Sequence, residues 1–562
     1  MKDIVKREVS MSRKPAVRVA AFAMAAAIPA AGLALLAPTA VAAEPAPAGT
    51  LKWETCAKVA NGWDEFTRGD TKAECATLSV PLDHARPDGR KINIAVSRLK
   101  AADPAKRRGV VVTNPGGPGG SGITLPLAFP GSELAPLAAE YDIIGFDPRG
   151  VGYSDKLKCS RLPQDTEDPP SSFTDKQKAK FRSDQRAAYY KRCAEKDIDF
   201  ARQLTTASIA KDVDAIRVAL GEKKISYYGI SWGTALGAAY RSLFGGNLDR
   251  MLLDSVMPAR FDLKAIDHDT DAASENRFND FTSWIARYDS VYQFGATAAE
   301  VRTALFALRD QLASAPRVIG SGQSQIVIDG EAVTRLMLAP RGLWSRWAKD
   351  LATIRDGDVP DFARQTEAKA AAAAEKAGRD PRFGFDERFE YGNDFQNHAV
   401  VCNEGLNSRD FETIWKDWQE RKRLYPAAGG IAHFASRCTG WPLPVQPWNL
   451  KQNTSSLQLV GHSYESVTPL PWALSMRKKI GGALLTVEDD VHGSLMDLPC
   501  AAKAVTYFRE GKVSNESCPG APIPTPDTGA RLSAAERATG NPLPAEAALR
   551  PYQPAGLSFA RG

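Results

Sequence analysis

The residues of this chain that could do chemistry begin with a serine between two glycines. Ser231 lies in YYGISWGTALG, where G-x-S-x-G follows the apolar run KISYYG and precedes a run with helical periodicity. In that context the motif predicts a sharp strand-to-helix turn that presents the serine hydroxyl as a nucleophile for acyl transfer. The motif alone is a weak signal, because a chain with 44 glycines can contain it by chance. The assignment therefore depends on partners elsewhere in the sequence.

A glycine-rich stretch offers backbone donors for the oxyanion that such an attack creates. NPGGPGGSG, residues 114–122, directly follows the apolar run GVVVTN. A free N–H of this stretch, together with the N–H of Trp232, would hold the developing negative charge. The stretch lacks the Lys-Ser/Thr ending of a phosphate-binding loop, which disfavours a phosphate cradle. A loop that is simply flexible is the remaining alternative.

Six histidines and several carboxylates compete for the general-base and orienting roles. His492, in EDDVHGSLMD, follows the last predicted strand, where the Ser–acid–His order of α/β hydrolases places the base. His462 also follows a late strand and is interpreted as a loop residue. Glu465, after the penultimate strand, is the first choice for the carboxylate that fixes the imidazole tautomer. The alternative acids are Asp254, Asp489 and Asp490.

Short apolar runs that alternate with helical runs predict the sheet that must position these groups. The predicted strands are residues 91–99, 109–114, 141–147, 224–229, 250–256, 456–461 and 483–488. Continuous apolar strands separated by amphipathic helices, such as residues 205–221, are typical of a parallel sheet covered on both faces. The fold class is therefore α/β. We expect the α/β-hydrolase fold, with a mostly parallel central sheet and a large helical lid inserted after the sixth strand.

The chain is expected to have an export signal and three folded segments. Residues 1–43 have the features of a signal peptide, with a basic start, an apolar run of about 19 residues and small residues before the cut. A membrane anchor is the alternative. We expect the core to occupy residues 44–258 and 446–518, the helical lid residues 259–445, and a Pro/Ala-rich tail residues 519–562. The protein is therefore predicted to be secreted and extracellular, with no stable membrane association.

Charge and cysteine content narrow the classes of function. Of the formal charge of +6, residues 1–43 contribute six basic and two acidic side chains, so the remainder gives no electrostatic case for a nucleic-acid partner. All eight cysteines follow the expected cut, and an even number in an exported chain predicts disulfides. Neighbour pairing would close short loops. There is no C-x-x-C and no paired histidine, so neither metal nor cofactor is expected. The preferred pairs are Cys56–Cys75, Cys159–Cys193, Cys402–Cys438 and Cys500–Cys518.

Five motifs in a fixed order resemble the prolyl-aminopeptidase family of α/β hydrolases. They are NPGGPGGSG, FDPRGVGYSD, YYGISWGT, SVTP and VHGS, and with AVVCNEG and RCTGWP they are most similar to the secreted bacterial tripeptidyl-aminopeptidase branch. The likeness covers residues 51–518. It implies a triad of Ser231, an acid and His492, with Gly117 and Trp232 as oxyanion donors. It also implies that Glu404, at an acidic position of the branch, binds the ammonium group of a substrate N-terminus.

The sequence departs from this branch at the acid. The branch usually has Asp-Pro where Glu465-Ser466 stands here, and glutamate is one methylene longer. The expected function is a secreted serine exopeptidase that releases short peptides, tripeptides first, from free N-termini through an acyl-enzyme on Ser231. Its expected partners are peptide substrates. The alternatives are a prolyl iminopeptidase or secreted carboxylesterase of the same fold, and a catalytically inactive binding protein.

Overall fold

The computed structural model describes residues 51–63, 67, 69–159, 167–319, 326–363 and 394–526. The expected signal peptide, residues 1–43, lies outside the described residues, as do residues 527–562 of the expected tail. Within the described ranges, no helix is both long enough and apolar enough to cross a bilayer.

A large mixed sheet forms the centre of the structure. Among the described residues it has ten strands in the order β1-β2-β3-β5-β4-β6-β7-β10-β11-β12, and β8 and β9 form a separate hairpin. The pairs β1–β2, β2–β3 and β3–β5 are antiparallel, and the others in the sheet are parallel. The strands are β1 (Glu54–Thr55), β2 (Glu74–Pro81), β3 (Lys91–Leu99), β4 (Val110–Asn114), β5 (Asp142–Phe146), β6 (Ile225–Ile230), β7 (Leu248–Asp254), β8 (Arg317–Ile319), β9 (Ile326–Ile328), β10 (Ser456–His462), β11 (Ala483–Glu488) and β12 (Ser517–Pro519).

The helices lie between these strands and in a long insertion after β7. They are α1 (Cys56–Val59), α2 (Ala135–Glu140), α3 (Asp175–Glu195), α4 (Ile198–Arg202), α5 (Thr206–Ala219), α6 (Trp232–Phe244), α7 (Leu263–Arg287), α8 (Asp289–Tyr292), α9 (Ala298–Ser314), α10 (Gly330–Met337), α11 (Trp344–Arg355), α12 (Asp394–Glu404), α13 (Phe411–Leu424), α14 (Leu470–Ile480) and α15 (Ala501–Glu510). The insertion follows the sixth strand when the two-residue β1 is left out.

Helices cover both faces of the sheet, and the central strands show why. In β4, Val110 and Val112 pack into one core with α5 and α6, whereas Val111 packs into a second core with α2 and α15. Each fully buried valine contributes about 1.5–3 kcal/mol, so a continuous apolar strand is stable only between two helical layers. The prediction of an α/β-hydrolase fold is confirmed.

The insertion has a hydrophobic core of its own. Trp284, Trp344 and Trp347 are buried in it together with Phe278 and Phe281. The last part of the insertion behaves differently, because residues of α12 pack into the core formed by the sheet with α5 and α6. Helix α12 is therefore packed directly against the sheet, as is the start of α7 with Leu263 and Ile266.

Four disulfides link residues that are near each other in sequence. They are Cys56–Cys75, Cys159–Cys193, Cys402–Cys438 and Cys500–Cys518, the pairs expected from the sequence. Cys402–Cys438 spans 36 residues and joins α12 to the turn at residues 435–438. This bond lies close to the site described below.

Candidate active site

Ser231 stands at the turn between β6 and α6 in a strained backbone conformation. Its φ is 59° and its ψ is −129°, a region that costs a residue with a side chain about 1–3 kcal/mol. The surrounding backbone enforces this conformation. The N–H of Ser231 donates to the carbonyl of Asp254 (3.0 Å), and its own carbonyl accepts from the N–H (2.9 Å) and hydroxyl (2.6 Å) of Thr234. The serine is therefore held on the sharp turn that the motif predicts.

Two glycines allow the glycine-rich loop to touch this turn. A Cβ on Gly116, whose φ is 101°, would lie 2.7 Å from Ser231 Cβ and 2.9 Å from the nitrogen of Trp232. A Cβ on Gly233 would lie 2.5 Å from the carbonyl oxygen of Asn114. Trp232 is the first residue of α6, so its N–H has no intrahelical acceptor. The structure thus brings the loop of Gly117 and the N–H of Trp232 to the serine.

A buried carboxylate fixes the far end of the glycine-rich loop. Asp147 Oδ1 accepts from the hydroxyl of Ser121 (2.6 Å) and the N–H of Gly122 (3.1 Å), and its Oδ2 accepts from the N–H of Tyr153 (2.9 Å). Burial raises the pKa of Asp147, while these hydrogen bonds act in the opposite direction. Asp147 therefore ties the motif FDPRGVGYSD to the loop that carries the candidate oxyanion donor.

The insertion holds the same loop from the other side. Asn397 of α12 donates from Nδ2 to the carbonyl of Pro118 (2.6 Å), and its Oδ1 accepts from a guanidinium nitrogen of Arg437 (2.8 Å). Arg437 is buried and precedes the disulfide-bonded Cys438. The residue that follows Gly117 is thus hydrogen-bonded to the insertion through its carbonyl.

His492 and Glu465 meet at the carboxyl edge of the sheet. Nδ1 of His492 donates to Oε1 of Glu465, which also accepts from the N–H (3.1 Å) and hydroxyl (2.8 Å) of Thr468. The carboxylate is fully buried, and 31% of the His492 side chain is exposed. Burial opposes ionisation of Glu465, but the charge and hydrogen bond of His492, the charge of His462 and the hydrogen bond of Thr468 together outweigh it and lower the pKa of Glu465. An ionised carboxylate therefore orients an imidazole that is partly exposed to solvent.

Ser255 is a residue of this site that the sequence did not indicate. Its hydroxyl donates to Oε2 of Glu465 (3.0 Å) and accepts from the N–H of Gly493 (2.8 Å), so it joins the acid loop to the histidine loop. Its φ is 55°, and this backbone feature leaves no trace in the sequence. The one available signal is its position directly after the end of β7.

The histidine loop also contacts the serine turn. A Cβ on Gly493 would lie 2.7 Å from Cγ2 of Ile230, the residue before Ser231. Across the described ranges, no hydrogen bond joins Ser231 Oγ to His492 Nε2. Such bonds are often long in ligand-free enzymes and tighten only with substrate. The structure therefore brings the histidine loop against the serine turn without a hydrogen bond between Ser231 Oγ and His492 Nε2.

The three alternative acids are occupied by other partners. Asp254 Oδ1 and Asp489 Oδ1 bond the two ring nitrogens of His462, at 2.9 and 2.6 Å. Asp490 Oδ2 accepts from the N–H of Arg341 (2.8 Å). Of these carboxylates and Glu465, Glu465 is the one bonded to His492. The interpretation of His462 as a loop residue is wrong, because it is the buried last residue of β10.

Glu404 lies at the end of α12 with its carboxylate turned into the protein. Oε1 accepts from the N–H of Thr206 (2.6 Å), and Oε2 accepts from the Thr206 hydroxyl (2.6 Å) and from Nε1 of Trp448 (2.8 Å). Burial raises the pKa of Glu404 to about 7, although these hydrogen bonds oppose the shift. Because both oxygens are occupied and buried, this geometry gives no support to the expected contact with a substrate ammonium group. It favours a link between α12 and the start of α5.

The chemistry open to this arrangement is acyl transfer. The serine turn follows β6, and the loops of Glu465 and His492 follow β10 and β11, so all three lie at the carboxyl edge of the parallel part of the sheet. This is where α/β hydrolases place a nucleophile, an acid and a base. The protein is therefore a serine hydrolase of the α/β-hydrolase class.

Comparison with known proteins narrows this class. Residues 109–328 match a family model described as alpha/beta hydrolase fold, and residues 427–518 match one described as TAP-like protein. A tripeptidyl aminopeptidase of Streptomyces lividans is 31% identical over 505 residues, which cover 87% of this chain and 89% of that protein. The chain belongs to the tripeptidyl-aminopeptidase branch of the α/β-hydrolase family, and it is a serine peptidase.

Two further relatives are named for different activities. Serine protease Hip1 of Mycobacterium tuberculosis (strain ATCC 25618 / H37Rv) is 25% identical over 474 residues, covering 80% of this chain and 86% of that protein. Carboxylesterase B of the same strain is 28% identical over 504 residues, covering 84% and 90%. The same framework therefore occurs in proteins named for peptide and for ester cleavage.

Proposed function

We propose that this protein is an exported exopeptidase that releases short peptides, tripeptides first, from free N-termini. The observation that carries the proposal is the buried, ionised Glu465 bound to His492 beside the strained Ser231. The similarity to the tripeptidyl aminopeptidase of Streptomyces lividans supports the substrate class. Four disulfides support export, because such bonds persist in oxidising compartments.

In the proposed mechanism His492 acts first as a base and then as an acid. Its Nε2 takes the proton of Ser231 Oγ as the oxygen attacks the scissile carbonyl carbon, and the oxyanion is held by the N–H groups of Gly117 and Trp232. His492 then protonates the departing amine. A water molecule, deprotonated by His492, hydrolyses the acyl ester and frees the serine. Glu465 stays ionised and stabilises the imidazolium throughout.

The helical insertion is proposed to be the lid that limits how far a substrate extends past the serine. Two of its arginines contact the loops of the acid and the base. Arg341 donates its N–H to Asp490 (2.8 Å), and its guanidinium lies 3.7 Å from the ring centroid of Tyr464, the residue before Glu465. Arg277 of α7 lies 3.6 Å from Asp490. A lid in contact with both loops can limit the length of the bound substrate and also influence the positions of the acid and base loops.

A carboxylesterase is the second candidate, because the carboxylesterase B relative covers a similar share of the chain. Chromogenic substrates distinguish the two. The set comprises a free tripeptide anilide, its N-acetylated form, a single-residue anilide and a short-chain nitrophenyl ester, each assayed with Ser231→Ala as the matched control.

We expect rapid cleavage of the free tripeptide anilide, little cleavage of its acetylated form and none by Ser231→Ala. Equal cleavage of the blocked and free forms would refute the exopeptidase assignment. Preference for the single-residue anilide would indicate an iminopeptidase-like enzyme, and turnover of the ester alone would indicate an esterase.

A further inference from the structure

A second histidine lies buried directly behind the active-site loops. His462 has no exposed side-chain surface, and it bridges two carboxylates, with Nε2 bonded to Asp254 (2.9 Å) and Nδ1 bonded to Asp489 (2.6 Å). An ionised carboxylate can only accept hydrogen bonds. Both ring nitrogens must then donate, which requires the doubly protonated imidazolium.

The charges around His462 come from every strand end that packs against it. Asp254 ends β7, Asp489 follows β11, and Glu465 lies on the loop after β10. Tyr228 of β6 donates its hydroxyl to Asp254 Oδ2 (3.4 Å). Burial alone would lower the pKa of His462, but the hydrogen bonds of Asp254 and Asp489 and the charge of Glu465 raise it well above its usual range.

These same groups hold the parts of the proposed triad. The carbonyl of Asp254 accepts the N–H of Ser231 (3.0 Å), and the carbonyl of Asp489 accepts the N–H of Tyr464 (3.0 Å), next to Glu465. Oδ2 of Asp489 accepts the hydroxyl of Ser494 (2.8 Å), two residues after His492. The two carboxylates that flank His462 thus connect to the nucleophile, the acid loop and the base loop.

We propose that His462 is a positioning residue: a permanently charged imidazolium that draws the ends of β7, β10 and β11 together so that the nucleophile, acid and base loops meet. It touches neither substrate nor the reacting atoms. The proposal rests on the proposed function only for its kinetic consequences, because the protonation state of His462 can be measured in an inactive protein.

The first test replaces the cation with a neutral side chain of similar reach. His462→Gln should lower kcat by about tenfold or more with KM nearly unchanged, because small displacements of catalytic groups are costly. Removing the positive charge leaves the negative charge of Asp254 and Asp489 unbalanced beside Glu465, and this added negative charge favours protonated His492. The acidic limb of the kcat/KM profile should therefore move to higher pH by about half a unit or more.

The matched control is His433→Gln, a half-buried histidine of the insertion. Burial lowers the pKa of His433 to about 3, so this substitution removes a half-buried ring without removing a charge. Its pH profile should remain that of the wild type. An unchanged acidic limb in His462→Gln, with wild-type kcat, would refute the positioning role.

Two further measurements keep the proposal testable if His462→Gln folds poorly. The double variant Asp254→Asn/His462→Gln removes one charge of each sign, so its acidic limb should return toward the wild-type position; a limb that stays shifted contradicts the charge argument. In ¹⁵N-histidine-labelled Ser231→Ala protein, NMR should show one imidazole with both nitrogens protonated at about pH 8. Absence of such a signal refutes the permanent imidazolium even if the protein proves to have no peptidase activity.

Discussion

At the scale of single residues, the choice of Glu465 as the acid of the proposed triad depends on the partners of its carboxylate. Thr468, Ser255 and His492 donate four hydrogen bonds to Glu465, so a side chain one methylene longer than aspartate is still fixed in one position. The competing carboxylates are bonded to other partners: Asp254 and Asp489 to His462, and Asp490 to the N–H of Arg341. Environment, rather than the length of the side chain, selects the orienting group.

Replacing this acid by its amide is expected to cost most of the activity. Glu465→Gln should lower kcat by about 10⁴, because the amide can stabilise the wrong tautomer of His492 and cannot stabilise its protonated form. Steady-state assays with the tripeptide anilide measure this. Asp490→Asn is the control and should retain most activity, since its carboxylate serves Arg341. The reverse ranking of the two variants would contradict the assignment of Glu465.

Substitution of Glu404 separates a structural role from a substrate-binding role. Glu404→Gln should leave KM for a free tripeptide within about threefold, whereas loss of an ammonium partner would raise it strongly. Assays that compare free and N-acetylated peptides decide between these outcomes. The surface variant Glu420→Gln is the control.

The same carboxyl predicts how stability depends on pH. Because the folded state raises the pKa of Glu404 to about 7, its contribution is fully present below the unfolded pKa and is lost as the pH rises through 7. Urea denaturation at about pH 5 and pH 8.5 should show wild type losing about 2.5 kcal/mol relative to Glu404→Gln over this interval. Parallel stability curves for the two proteins would show that Glu404 does not titrate there.

The sequence could predict the residues whose types follow chain order, and it missed those whose roles depend on long-range contact. Ser231, Glu465 and His492 lie after strands that an apolar pattern reveals. Ser255 acts through a left-handed backbone conformation and bonds a residue 210 positions away. His462 required knowing that β7 and β11 flank β10, and strand adjacency is not written in local sequence.

At the scale of elements, the glycine-rich loop is held by α12, a helix of the insertion. Asn397 should therefore influence the proposed oxyanion donor, the N–H of Gly117, through the carbonyl of Pro118. Asn397→Ala is expected to lower kcat by about tenfold with a smaller effect on KM, because loss of a donor's alignment acts in the transition state. Asn407→Ala, which removes a bond to the carbonyl of Ala435, is the matched control. Equal kcat in both variants would show that the glycine-rich loop keeps its conformation without the hydrogen bond from Asn397.

Strands could be predicted from the sequence where they consist of an unbroken run of buried apolar residues. The seven strands expected from the sequence are present, with ends within two residues of prediction. Strand β2 was missed, because it pairs antiparallel at one side of the sheet and alternates buried and exposed residues without a long apolar run. The hairpin of β8 and β9 was missed because three-residue strands carry too little pattern.

At the scale of the whole molecule, the bond between Cys402 and Cys438 ties the insertion to itself beside the sheet. Cys402→Ala/Cys438→Ala should lower the free energy of unfolding by about 2–4 kcal/mol, as expected for a loop of 36 residues. Guanidinium denaturation with and without a reducing agent measures this. Wild type treated with reductant should lose at least as much stability as the variant, and no difference between wild type and variant would contradict the prediction.

The contact between Asn397 and Pro118 also bears on how this scaffold can be re-engineered. One way to alter specificity in such an enzyme is to replace its insertion with that of a relative. Here the insertion holds the glycine-rich loop through Asn397, so a chimera without an equivalent amide is expected to bind different substrates and to have a lower kcat for all of them. A chimera that retains Asn397 and Arg437 within the new insertion is expected to change selectivity and preserve kcat.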